Sequence, residues 1–157
     1  MDDYYEAYHL DQYDYIIIDT HPDFSTSTRN AIVVSHKVIS PNKPSGFSDD
    51  SNANIEYRIN KLKKELIDFK TRESYVTAKL FYVGNMVKHN TKSSIAFKEA
   101  IQNNSNYITY FPDKELITRS VLEKKSIVKM KKNSKLYAKE KTFFDQFSEK
   151  CKAIKDA

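Results

Sequence analysis

A short apolar run constrains the fold of this 157-residue chain more than any other sequence feature. Residues 15–18 read Tyr-Ile-Ile-Ile, and the acidic residues Asp14 and Asp19 bound them. A continuous run of β-branched residues without polar alternation is typical of a strand buried on both faces of a parallel sheet. The sequence therefore places Asp19 at the carboxyl end of a buried strand, where open parallel sheets bind their ligands.

Segments with strand and helix patterns alternate along the rest of the chain. Strands that alternate with helices through short loops predict right-handed crossovers and a parallel sheet with helices on both faces. We therefore expect one α/β domain over residues 1–157, with three layers and a mostly parallel sheet. The predicted strands are residues 15–18, 37–40, 76–84 and 107–111, and the predicted helices are 26–35, 55–69, 93–102, 113–123 and 134–154.

Two of the predicted helices carry an apolar stripe at helical spacing. Cys151 lies on the stripe of the last helix with no histidine near it in sequence, which predicts a buried side chain rather than a nucleophile. The stripe of the long central helix predicts a face that packs into the core. Its residues are Ile55, Ile59, Leu62, Leu66 and Phe69.

Composition excludes several classes of protein. One cysteine excludes a disulfide scaffold, and no apolar run approaches the ~20 residues that span a bilayer, so we expect a cytoplasmic protein with no membrane partner. The net charge of +5 permits contact with nucleic acid but does not require it. The two glycines, Gly46 and Gly84, cannot form a glycine-rich phosphate loop, which needs at least two within a few residues.

Residues 13–41 carry the most specific string, YDYIIIDTHPDFSTSTRNAIVVSHKVISP. In order, it contains a Tyr-Asp-Tyr start, three aliphatic residues, Asp19, Pro22, an Asn-Ala pair at 30–31 and a strand that ends at Pro41. This order resembles the ParA family of partition ATPases, within the deviant-Walker group that includes MinD. The resemblance implies a P-loop NTPase-like fold.

The resemblance extends beyond this string but leaves out one motif. Residues 82–94 and 107–128 are similar to later strands and loops of the family, whereas no segment of these 157 residues looks like the family's Walker A loop. The expectation is therefore that the chain corresponds to the C-terminal portion of a ParA-type ATPase. Its ATPase activity is implied by resemblance only, and we expect it to be inactive alone.

The resemblance implies a nucleotide site for the complete family protein. Asp19 would be the Walker B aspartate that orders Mg²⁺ without binding it directly, and ATP and Mg²⁺ would be the cofactors. We expect neither to bind this chain alone, because a P-loop supplies most of the N–H groups that hold the phosphates. The other implied positions are the switch loop, Thr20, His21 and Pro22, and the nucleotide contacts, Asn85 and Pro112.

Some of these positions have a simpler interpretation. His21 could pair with Asp19 at a metal or act as a general base, but a lone histidine is more often an ordinary loop residue. Asn85 follows the predicted strand 76–84, so it could read adenine or merely form a turn. Asp19 itself could cap the following turn.

A basic segment lies between residues 124 and 141, where eight lysines accompany one acid, Glu140. The resemblance implies contact with non-specific DNA through basic residues of this region. A solvated helix face is the alternative interpretation. The candidate DNA-binding residues are Lys114, Arg119, Lys124, Lys125, Lys129, Lys131, Lys132 and Lys135.

The resemblance also implies partners. The complete family protein would be a nucleoid-associated homodimer that works in plasmid or chromosome partition with a ParB-type centromere-binding protein. Two alternatives belong to other classes: a non-enzymatic interaction module, which could pair with a P-loop-bearing partner or with itself, and a basic DNA-associated protein without catalysis.

Overall fold

A computed structural model describes residues 7–21, 23–44 and 49–157, so Pro22 and Gly46 lie outside the described residues. The predicted α/β fold is confirmed. A 3₁₀ turn at Leu10–Gln12 comes before the regular elements. The strands are β1 (Lys37–Asn42), β2 (Lys79–Val87) and β3 (Tyr107–Pro112), and the helices are α1 (Thr26–Val34), α2 (Asp49–Glu65), α3 (Lys92–Gln102), α4 (Glu115–Leu122), α5 (Ile127–Lys131) and α6 (Ser134–Asp156).

The three strands form one parallel sheet in the order β1-β2-β3. Ser40 of β1 pairs with Tyr82 of β2, which in turn pairs with Tyr107 of β3. A helix lies between each two consecutive strands, as parallel pairing requires. The predicted parallel α/β topology is correct for these three strands.

The strand predicted at residues 15–18 was wrong. Within the described residues this segment has neither helix nor strand structure, and Ile17 is 92% exposed. A strand needs a neighbour for its backbone groups, and β1 pairs with β2 alone. The ring of Tyr15 instead contacts Lys155 Nζ, 5.2 Å from its centroid, and Ile18 borders α1. Strand propensity alone therefore did not produce a strand.

Helices α1, α2 and α3 cover one face of the sheet. Ile32 of α1 and Ile59 and Leu62 of α2 form a buried cluster with Val76 and Ala78, which precede β2. Phe97 of α3 packs edge-on against the ring of Tyr107, with centroids 5.9 Å apart. This face holds most of the core that the apolar stripes predicted.

Helix α6 covers the other face and gives the fold its third layer. Phe147 of α6 lies 5.3 Å from the ring of Phe111 on β3, centroid to centroid. A separate apolar cluster then joins α4, α5 and α6; the short helix α5 was not predicted from the sequence. The buried members of the cluster are Leu116, Ile127, Met130, Phe143 and Phe144.

Two predicted core positions are exposed. Helix α2 ends at Glu65, and Phe69, predicted to extend its apolar stripe, is 90% exposed because it lies in the turn after the helix. Cys151 is also exposed, since the apolar cluster that holds α6 ends at Phe147. The two errors have different causes: the helix itself ends before Phe69, whereas α6 continues past Cys151 but its apolar cluster does not.

Candidate functional site

Asp19 lies in an irregular segment, and the loop after it is fixed by other residues. The Asp19 side chain is exposed, as are Thr20 and His21. Thr28 Oγ1 donates a hydrogen bond to the His21 carbonyl oxygen at 3.3 Å, which ties the loop to α1. Asp19 therefore stands before an ordered helix start, as the sequence predicted, but without a strand behind it.

Asp23 organises the start of α1 and was not singled out by the sequence. Its Oδ1 accepts a hydrogen bond from the backbone N–H of Ser25 at 3.4 Å. Hydrogen bonds from the Ser25 side chain and backbone lower the pKa of Asp23. Ser25, the N-cap residue of α1, makes no side-chain capping bond. An Asp two residues before a Ser at a helix start favours this kind of local turn and could have indicated it.

The carboxyl end of β2 contains a bulge at Asn85. The pairing register with β3 shifts between Gly84 and Val87, and Met86 has a left-handed φ of 55°. The prediction that the strand ends before Asn85 was therefore wrong, because the bulge allows β2 to continue to Val87. Bulges bend a strand and re-aim its side chains, which is why they are frequent beside active sites. Asn85 is half-buried.

Pro112 lies on the strand next to Asn85. It ends β3, pairs with Val87 and is followed by Asp113, whose N–H donates to the Val87 carbonyl oxygen at 3.0 Å. The structure thus brings the two residues predicted to contact nucleotide onto neighbouring strands at the carboxyl edge of the sheet. No other feature of this edge assigns them a role.

A buried polar network lies beside the same edge. Asn42, the last residue of β1, donates hydrogen bonds to Asn52 Oδ1 and to the Tyr107 hydroxyl, both at 2.8 Å. The Tyr82 hydroxyl donates to Glu56 Oε1 at 3.0 Å. Burial, and then the bond to Glu56, raise the pKa of Tyr82 well above its usual value. These polar atoms satisfy one another, which indicates a network that fixes α2 to the sheet.

The residues present do not by themselves fit Mg-ATP. Among the described residues no group of three His, Cys, Asp or Glu side chains could hold a metal ion. Asp19 is a single exposed carboxylate, and Mg²⁺ keeps several of its waters against such a donor. The two glycines of the chain lie far apart in sequence and provide no phosphate cradle. A nucleotide site would need donors from outside these residues.

Three of the eight candidate DNA-binding residues are engaged within the fold. Lys114 Nζ lies 2.9 Å from Glu140 Oε2. Arg119 makes an i,i+4 ion pair with Glu123 at 2.9 Å, and Lys131 pairs with Asp145 at 3.4 Å. Their charges are partly neutralised, so they are weaker candidates for phosphate contact than sequence alone implies.

The other five candidates form what we call the basic surface. All five are exposed, and none makes an ion pair with any described residue. They lie on the turn between α4 and α5, on α5 and its end, and at the start of α6. The residues of the basic surface are Lys124, Lys125, Lys129, Lys132 and Lys135.

Comparison with known families gives a match over part of the chain. Residues 8–72 match a family described as an AAA domain, a stretch that contains Asp19, α1, β1 and α2. Together with the parallel α/β sheet, the match supports a relationship with the P-loop NTPases. No curated protein and no solved structure matches the chain. None of the helices in the described part of the chain is long and apolar enough to cross a membrane.

Proposed function

We propose that this chain is part of a ParA-like partition ATPase. One observation carries the proposal: the AAA-domain match covers the run at residues 15–18, Asp19 and the following helix and strand, which are the elements that resemble the ParA family. The parallel sheet of β1, β2 and β3 is consistent with it. In this function Asp19 orders the hydration shell of Mg²⁺ beside the nucleotide phosphates.

The proposal requires a P-loop from outside these 157 residues. The chain offers a carboxylate at Asp19 and two residues on neighbouring strands, Asn85 and Pro112, but no phosphate cradle. We therefore expect no measurable affinity for Mg-ATP in a calorimetric titration of residues 1–157 alone. Micromolar binding would contradict this and would point to a phosphate site elsewhere in the chain.

The experiment that tests the role of Asp19 supplies a P-loop to the chain. A P-loop-bearing segment of a partition ATPase is joined to the N-terminus of the chain, or added in trans, and ATP turnover is measured. Replacing Asp19 with Ala should reduce turnover to background, because the metal's water shell loses its acceptor. Asp14→Ala is the matched control, since Asp14 is also exposed and bounds the same run. Equal turnover in the two variants would show that the assignment of Asp19 is wrong.

We further propose that the basic surface contacts DNA without sequence preference. Five exposed lysines free of ion pairs in the described structure support this, because phosphate contacts release counterions and need accessible cations. The binding should be weak and should fall steeply between about 50 and 200 mM salt. A nucleoid location and a ParB-type partner belong to the same proposal.

The test is fluorescence anisotropy of random duplex DNA at the two salt concentrations. Replacing Lys124, Lys129, Lys132 and Lys135 with Glu should abolish binding at low salt. The control replaces Lys61, Lys63 and Lys64 of α2, where Lys61 lies 3.8 Å from Glu65. Equal binding by the two variants would remove any special role for the basic surface.

A further inference from the structure

Two lysines lie against the ring of Tyr110, the residue of β3 that pairs with Gly84. Lys150 of α6 has its Nζ 4.0 Å from the centroid of this ring, and Lys98 of α3 has its Nζ 5.7 Å from the same centroid. Both lysine side chains are half-buried. Two ammonium groups from different helices therefore approach one side chain.

Each of these ammonium groups is held by a backbone carbonyl group instead of an acid. Lys150 Nζ donates to the Tyr110 carbonyl oxygen at 2.6 Å, and Lys98 Nζ donates to the His89 carbonyl oxygen at 3.4 Å. Neither lysine makes an ion pair with a described residue. The carbonyl oxygens fix the two positions, and both positive charges remain uncompensated.

The two like charges act on each other. Burial, and then the charge of Lys98, lower the pKa of the Lys150 amine. A like charge disfavours the charged form of an amine, whereas a bound anion favours it. The pair of uncompensated cations therefore costs free energy, and an anion bound beside both would recover it.

A cavity of about 390 Å³ opens beside Lys150, between α6 and β3. A water molecule takes about 30 Å³ in the liquid, so this space can hold a small anion with part of its hydration shell. Thr109 and Gln146 line the cavity and offer a hydroxyl and an amide that can donate to an anion. Glu149 also lines it, but this residue is exposed to water, which weakens its repulsion of an anion.

We propose that Lys98 and Lys150 form a binding site for the phosphate group of a small molecule. A phosphomonoester carries about −1.5 to −2 charge at pH 7, which matches two ammonium groups better than the single charge of a carboxylate or of a DNA phosphate does. Lysine binds phosphate as a compact point charge. The site shares no residue with the basic surface or with the positions predicted to contact nucleotide, so it is independent of the proposed partition role.

An NMR titration of the lysine side-chain signals, with inorganic phosphate as the probe, tests this site. At constant ionic strength the signals of Lys98 and Lys150 should shift and saturate as phosphate is added to the chain. Phosphate should also raise the pKa of Lys150, because a bound anion favours the charged amine. Acetate, which carries one charge, should bind more weakly than phosphate.

Two substitutions remove one charge each and keep an apolar side chain beside Tyr110. Lys98→Met and Lys150→Met should each raise the dissociation constant for phosphate about tenfold or more. Lys152→Met is the matched control, since Lys152 is an exposed lysine of the same helix α6 and makes no ion pair with a described residue. The control should bind phosphate as the unaltered chain does, and circular dichroism should show that all three variants are folded.

Saturable shifts that both substitutions weaken, and that the control leaves unchanged, support the proposal. It is overturned if the two lysine signals do not respond to phosphate, if acetate binds as tightly, or if Lys152→Met weakens binding as much as Lys150→Met does. It is also overturned if the two variants weaken only the binding of random duplex DNA, which would assign both lysines to a DNA contact. The titration of the unaltered chain decides the question even where a variant fails to fold.

Discussion

The two edges of the sheet differ in what lies against them. At the β3 edge, Lys150 of α6 donates to the Tyr110 carbonyl oxygen at 2.6 Å and stands 4.0 Å from the centroid of its ring. At the β1 edge no described strand pairs, and Ile39 is partly exposed. A helix that covers an edge strand is a common protection against unwanted pairing. Helices of the C-terminal part of the chain thus cover their own edge of the sheet, whereas residues 15–18, in the part that matches the AAA domain, are exposed.

Removing a buried aromatic ring from α6 should have the largest effect on the free energy of unfolding. Phe144 of α6 is buried in the cluster that holds α4, α5 and α6 together, so Phe144→Ala should cost about 3–5 kcal/mol of the free energy of unfolding. Phe69→Ala should change it by no more than about 0.5 kcal/mol, because that ring is already in water. Urea denaturation measures both. Similar losses of the free energy of unfolding in the two variants would contradict the assignment of Phe144 to the core.

The junction of β2 and β3 should tolerate no added methyl group. A Cβ at Gly84 would lie 2.6 Å from Tyr110 Cβ and 2.9 Å from Phe97 Cε1. Gly84→Ala should therefore destabilise the chain by about 1–3 kcal/mol, since the strands or the Phe97 ring must move. Ser40→Ala at the β1–β2 junction, which removes atoms, should cost well under ~1 kcal/mol. A neutral Gly84→Ala by thermal denaturation would show that the β2–β3 side is packed no more closely than the β1 side.

The turn that leads from α2 to β2 should give the smallest effect, and that effect should depend on pH. Asp68 accepts hydrogen bonds at 2.8 Å from the N–H group of Thr71, the Tyr75 hydroxyl and the N–H group of Lys70, which lowers its pKa to about 2. The folded pKa is below the ordinary value of 3.8, so the stabilisation is present above about pH 4 and is lost as the pH falls toward 2.

The matching measurement is the melting temperature of Asp68→Asn across this pH range. The variant should melt below the unaltered chain at neutral pH, and the difference should disappear between about pH 4 and pH 2. Tyr75→Phe, which removes one of the three donors, should show the same trend to a smaller extent. A difference that persists unchanged at pH 2 would exclude the carboxylate as its source.

Several elements could be predicted from the sequence because their signals are local. Helix α3 begins within one residue of the predicted start and ends where predicted, and β3 differs from its prediction by one residue. Both are bounded by clear signals, such as the capping Thr91 and the terminal Pro112. Parallel pairing followed from the alternation of strands and helices. The short helix α5 was missed because five residues give too little periodicity to recognise.

The candidate site could be predicted only in part. The sequence indicated Asp19, and the structure places Asn85 and Pro112 on adjacent strands. The sequence could not show that Lys114 and Lys131 are held by acids, because Lys114 meets Glu140 and Lys131 meets Asp145 only after α4, α5 and α6 pack. A lysine count treats every lysine as available, whereas ion pairing depends on contacts between helices.

The sequence by itself determined the class of fold, the order of the elements and the family resemblance, because turn residues, apolar spacing and motif order act over a few residues. Only the tertiary structure decided which of the strand-forming segments become paired strands. Residues 15–18 have the propensity of a buried strand, yet they remain exposed because burial requires a neighbour on the sheet. A strand's hydrogen bonds, unlike those of a helix, always belong to another segment, so the strand forms only where that segment is present.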